Sequence, residues 1–167
     1  VRDCKFLDSS LSLDSPVDIT AVAFAAHVTI TAPGHTFTNG DYVDISDIEW
    51  EPTYDQFRNT TYPAELNDFR YIVSDVSGDT FKLKSIADGS YIDGTEFTGV
   101  YVEGGKVREA VTTLSGLQHL RSTPVYVLAD GNVITNLTVS ALGVLTLPRR
   151  FSRVHVGLPY VSDIATL

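Results

Sequence analysis

Methionine is absent from these 167 residues, and cysteine and tryptophan occur once each. A lone Cys4 excludes an intrachain disulfide framework and a zinc site built on several thiolates. No apolar run approaches the ~20 residues that span a bilayer as a helix, and no secretory leader is recognisable. Opening on Val1-Arg2-Asp3 without an initiator methionine, the chain is expected to be part of a longer polypeptide. Basic residues are scarce, with 12 Lys and Arg against 21 Asp and Glu and a net charge of −9. A phosphate-binding face needs clustered cations, and the densest group here, Arg149, Arg150 and Arg153, reads as a solvated turn. Neither a nucleic acid nor a membrane is expected as partner. The short motifs of common catalysts are also missing: there is no Gly-x-Ser-x-Gly elbow, no His-Glu-x-x-His and no phosphate-binding loop. No pair of carboxylates is singled out for glycoside cleavage. The expectation is a protein that is not an enzyme and uses no cofactor.

What is present is a globular composition, 43% hydrophobic, 10% aromatic and 20% charged. Cys4 to Leu13 is strand-like and stops at Asp14-Ser15-Pro16. Val17 to Ala26 is apolar enough for a helix, but its β-branched content and the alternation His27 to Thr31 favour strand. Thr38-Asn39-Gly40-Asp41 is a tight-turn signal of the hairpin kind. It leads into an alternating run in which Val43 and Ile45 face one way and Tyr42, Asp44 and Ser46 the other. Glu49 to Asp68 lacks periodicity and reads as a long aromatic loop, with a helical turn near Ala64 to Asn67. Strands return at Phe69 to Val73 and at Thr80 to Lys84, where Phe81 and Leu83 face the core and both lysines face out, a device that protects sheet edges. Gly104-Gly105 reads as the last flexible joint before the C-terminal stretch.

That stretch, Gly116 to Leu167, holds four short alternating runs. Turn chemistry separates them at Ala129 to Asn132, at Ala141-Leu142-Gly143 and at Pro148-Arg149-Arg150. Strands of about five residues spaced by turns predict an antiparallel all-β fold, a sandwich or barrel-like set of units.

Two ordered sets of residues resemble known families. The first runs Gly116-Leu117-x-His119-Leu120, Val125-Tyr126-Val127-Leu128-Ala129-Asp130-Gly131, Leu145-Thr146-Leu147-Pro148 and Val154-His155-Val156-Gly157-Leu158-Pro159-Tyr160, preceded by Phe6 to Leu13. It resembles a domain of the large tail and nozzle proteins of short-tailed bacteriophages and their prophage relatives. The second, Gly34-His35-x-Phe37-x-Asn39-Gly40-Asp41-x-Val43-x-Ile45 with Leu66 to Val73 and Asp79 to Leu83, is similar to the first catalytic cysteine half-domain of ubiquitin-activating enzymes. Copies of that small β module occur inserted in phage tail proteins. None of the activating chemistry accompanies it, since there is no Gly-rich adenylate loop and Cys4 lies outside the module. The chain departs from the module by the long insert from Glu49 to Pro63. The resemblances imply a tail-protein β domain formed by residues 1–24 plus 105–167, interrupted by a small β module at 25–104. They also imply a non-enzymatic role in the virion tail, made in the bacterial cytoplasm, with other tail proteins or copies of the full-length protein as partners.

Several residues invite chemistry. Trp50, Tyr54, Phe57 and Tyr62 among polar neighbours would suit a surface for a host-surface glycan or receptor, or would roll inward as a cap on the core. The acidic series Asp41, Asp44, Asp47, Glu49, Glu51 and Asp55 offers hard oxygen ligands but lacks a Gly-centred calcium loop, so no metal is expected. His27, His35, His119 and His155 are far apart in sequence and are read as structural.

Overall fold

A computed structural model describes residues 6–51, 66–95, 97 and 99–160. In chain order the strands are β1 (Phe6–Leu13), β2 (Val17–Asp18), β3 (Ala21–Ala23), β4 (Thr29–Thr31), β5 (Tyr42–Glu51), β6 (Phe69–Ser77) and β7 (Thr80–Ser85). They continue with β8 (Val100–Glu109), β9 (Val111–Leu114), β10 (Pro124–Ala129), β11 (Asn132–Thr138), β12 (Leu145–Phe151) and β13 (Val154–Tyr160). Gln118–Leu120 forms one 3-10 turn, and no α-helix occurs among the described residues. All strand pairing is antiparallel. The protein is all-β.

The chain divides into two compact units, one continuous, Ser15–Ala110, and one discontinuous, Val1–Asp14 with Val111–Leu167. The boundaries expected from sequence, 24/25 and 104/105, are corrected to 14/15 and 110/111. Residues 15–24 and 105–110 go to the continuous unit because they supply its strands: Val17 is in register with Val107, and Asp18 with Lys106. Gly104-Gly105 is accordingly not a joint. The pair lies in the middle of β8, where Gly104 faces Ile48 in register.

In the continuous unit the strand order is β2-β8-β5-β6-β7-β4-β3. Both ends of that order belong to one chain segment, 17–23. The Ile19 N–H donates to the Gly105 carbonyl (2.9 Å), and the next N–H, of Thr20, donates to the Thr31 carbonyl (2.9 Å). Consecutive residues thus bond to β8 and to β4, and the sheet curls until its ends meet on that segment. Curling of this kind removes open edges. The interior is filled by Val28, Ile30, Val43, Ile45, Val73, Phe81, Leu83 and Val107, each 1% exposed or less.

Period-two alternation places most of these side chains, as it does Val43 and Ile45. It breaks where Asp47 takes a φ of 62°. Ser46, expected outward, is buried and accepts a hydrogen bond from Arg108 Nη1 at 3.0 Å, and Ile48 then turns inward. Across from this irregularity lies Gly105, at a φ of 101°. A Cβ there would meet Ile48 Cγ1 at 2.8 Å and Ile19 Cβ at 3.0 Å. Only glycine fits the close approach and the left-handed backbone together.

The Asn39-Gly40 turn forms, with Gly40 at a φ of 98° and the Thr38 N–H donating to Asp41 Oδ2 at 2.6 Å. It does not close a hairpin between neighbouring strands, because β4 pairs with β7 whereas β5 pairs with β6 and β8. The turn docks on β6 instead: Gly40 N–H donates to the Val73 carbonyl, and Val73 N–H to that of Asp41. Phe81 and Leu83 face the core as expected, but β7 lies between β6 and β4. Its lysines guard no edge. Lys82 Nζ bonds Asp75 Oδ2 at 2.8 Å, and Lys84 Nζ lies 4.4 Å from the centre of the Tyr91 ring.

The discontinuous unit has a four-stranded sheet, β1-β13-β10-β11, and the pair β12-β9. Leu117, Val125, Val127, Ala129, Val139, Leu145, Val154 and Val156 are fully buried in it, with Phe151 nearly so. Asp130 and Gly131 take φ values of 44° and 77°, the two positive values of the tight hairpin turn that sequence predicts between β10 and β11. Asp130 also gathers the turn between β12 and β13, accepting from the Arg153 N–H at 2.9 Å and the Ser152 N–H at 3.3 Å. Pro148-Arg149-Arg150, expected as a turn, lies inside β12 instead. Its register with β9 is irregular between Thr146 and Phe151, which accommodates a proline that cannot donate. The chain reverses at Ser152-Arg153, with Arg149 set 4.8 Å from the Phe151 ring centre.

Candidate functional site

Trp50 sits near the end of β5, in register with Tyr101 of β8. Beyond Ile48 these two strands continue as a ribbon, since β6 begins opposite Ile45. One face of the ribbon carries the Trp50 and Tyr101 rings, 6.4 Å apart and nearly perpendicular. Phe24 lies 5.1 Å from Trp50, and Phe97 lies 5.6 Å from Phe24 edge-on. These four half-buried rings pack against the core of the continuous unit. Offset and edge-to-face contacts are the arrangements aromatic quadrupoles favour. The Tyr101 hydroxyl reaches the carbonyls of Gly104 (2.9 Å) and Ile19 (3.0 Å), and burial together with the nearby Glu103 raises its pKa.

Of the four aromatic residues singled out from sequence, Trp50 therefore belongs to a cap on the core. Tyr54, Phe57 and Tyr62 lie outside the described residues, as does Ala64 of the expected helical turn. Leu66 to Asp68 form a turn. Asn67 there copies a strand partner, with Oδ1 accepting from the Ile48 N–H and Nδ2 donating to the Ile48 carbonyl, both at 2.9 Å. Sequence reasoning missed Phe24, Phe97 and Tyr101 as companions of Trp50. The signal for Phe24 was its place in the apolar run Val17 to Ala26.

The opposite face of the ribbon carries Glu49 and Glu103 in register and Glu51 opposite Val100, with Val100 and Val102 more than half exposed. The other members of the acidic series are engaged separately. Asp41 accepts from Thr38, Asp47 accepts from the Ser46 hydroxyl (2.8 Å), and Asp44 holds Arg70 through two bonds of 2.6 and 2.7 Å. Asp55 lies outside the described residues. Among the described residues no group of three or more His, Cys, Asp and Glu is placed to hold a metal ion.

The histidines are dispersed over four settings. The His27 ring lies 4.1 Å from the Tyr91 ring, tilted to it by 46°, and His119 is exposed on the 3-10 turn. His35 lies stacked on Phe37 and edge-on to Phe81, its Nδ1 accepting from the Phe37 N–H. His155 lies across from Ser12 in the β1–β13 register, with Ser12 Oγ 2.6 Å from Nδ1. Ser12 also lines a cavity of about 220 Å³ with Leu13, Val111, Thr113, Leu114 and Ser115. Among the described residues that lining offers hydroxyls and methyl groups and no carboxylate.

No helix among the described residues is long and apolar enough to cross a membrane. No protein-family model and no curated protein matches the chain.

Proposed function

We propose that this chain is a structural, non-enzymatic module of a tail protein of a tailed phage or its prophage relative. In this reading it works in the virion tail through contacts with other tail proteins or with copies of the full-length protein. One observation carries it. The blocks by which the sequence resembles such proteins fall in one compact unit, although residues 15–110 separate the first from the rest. Leu117 and Leu120, then Val125, Val127 and Ala129, then Val154 and Val156 are all buried in its core. Residues with that placement act as framework of the unit, so the resemblance rests on the fold and not on a site. A glycan-binding reading of the 50–62 segment draws no support from Trp50, whose ring is engaged by Phe24 and Tyr101.

The test is the setting of the gene. Neighbouring genes for portal, tail and other virion proteins are the expected result. A neighbourhood of metabolic genes would overturn the proposal.

A further inference from the structure

We infer that β11 is the edge through which two copies of this chain pair, antiparallel and about a two-fold axis at Val133. The β10–β11 hairpin turns on Asp130-Gly131, with Ala129 opposite Asn132 and Leu128 opposite Val133. In a two-residue hairpin the residues that close the loop exchange both hydrogen bonds, and the next pair exchanges none. The N–H and C=O of Val133 therefore point away from β10, and among the described residues β11 pairs with β10 alone. An outward donor and acceptor on one residue are self-complementary. Val133 can exchange two hydrogen bonds with Val133 of a second copy, which makes the interface isologous.

The side chains agree with this. Val133 is 58% exposed and Leu128 beside it 37%, so pairing would set a continuous strip of two leucines and two valines across the new sheet. Charge agrees as well. At a net −9, two copies repel one another over most of their surface, yet no charged residue occurs from Gly131 to Pro148. Edge strands are ordinarily protected by lysine, proline or inward charges, and Gly131 to Thr135 carries none of these. A bulge follows, where Tyr126 is skipped in the register and Asn136 takes a φ of 64°. It bends the strand, so the pairing is confined to Gly131–Thr135 and is weak. This inference does not depend on the tail assignment, which could fail while the dimer stands.

Sedimentation equilibrium of the 167-residue chain from micromolar to millimolar concentration tests it. The expected result is a monomer–dimer equilibrium between 18.2 kDa and twice that mass. Val133→Lys sets two cations face to face and should weaken dimerisation at least about tenfold. Val133→Pro removes the outward N–H without adding charge and should do the same, while Val133→Thr should leave the dimer intact. Matching circular dichroism and melting curves would establish that each variant is folded. A chain monomeric throughout, or a dimer that persists in both folded Lys and Pro variants, would overturn the inference.

Discussion

Replacing Gly105 by alanine tests whether β8 runs through the continuous unit as described. Two costs add. Alanine at a φ of 101° takes a left-handed conformation, worth about 1–2 kcal/mol. Its Cβ would lie 2.8 Å from Ile48 Cγ1 and 3.0 Å from Ile19 Cβ. Those side chains are 4% and 3% exposed, so neither is a free end that can swing aside, and overpacking adds about 1–3 kcal/mol. The sum, roughly 2–5 kcal/mol, is a large part of the ~5–15 kcal/mol that holds a domain folded. Urea unfolding followed by fluorescence of Trp50 measures it, because this sole tryptophan packs on the same core. Gly89→Ala is the control, with a φ of 74° and nothing within 4 Å of its Cβ, so it carries the backbone cost alone. If the two variants agree within about 0.5 kcal/mol, the scatter of surface substitutions, Gly105 is not packed against Ile48 and Ile19 inside β8.

Three further outcomes follow from side chains that replace backbone partners or stand beside charges. Asn67→Ala strips both hydrogen bonds from the Ile48 backbone and should lower stability by about 1–3 kcal/mol, read by the same Trp50 signal. Asp130→Ala should cost about as much in the discontinuous unit, with faster amide exchange at Ser152 and Arg153, which donate to that carboxylate; unchanged exchange would contradict the assignment. Asp75 is held below its ordinary pKa of 3.8 by its hydrogen bonds from Lys82 and then Tyr91. Folding depresses the pKa, so this contribution to stability is present above pH 3.8 and lost as pH falls through the lower folded value. A carboxyl NMR titration should show a midpoint below 3.8 that rises in Lys82→Ala. A midpoint indifferent to that change would refute the pairing.

The all-β class was legible because alternation is local: Val125, Val127 and Ala129 on β10, or Phe81 and Leu83 on β7, need no knowledge of their partners. The turns at Asn39-Gly40 and Asp130-Gly131 were legible for the same reason, since positive φ is a property of the residue. What joins to what was harder. Gly104-Gly105 looked like a hinge because composition does not distinguish a flexible glycine from one forced by Ile19 and Ile48 across a strand. Pro148 looked like a turn because an irregular strand pairing is invisible from one strand alone. Trp50 among Glu49, Glu51 and Pro52 is compatible in sequence with a binding surface or with a cap on the core, and only the register with Tyr101 and the approach of Phe24 decide for the cap. The domain boundaries moved because Val17 and Asp18 take their strand partners from some ninety residues later.

Membership in a virion tail puts this chain in the particle itself, where mass spectrometry of tailed particles, purified after prophage induction or lytic growth of the organism that encodes it, would find it. Peptides from both units, such as those spanning Phe69 to Lys84 and Val125 to Arg149, are expected in proportion to known tail proteins. Particles that carry a full set of tail proteins without this chain, while it accumulates in the host's particle-free fraction, would contradict it.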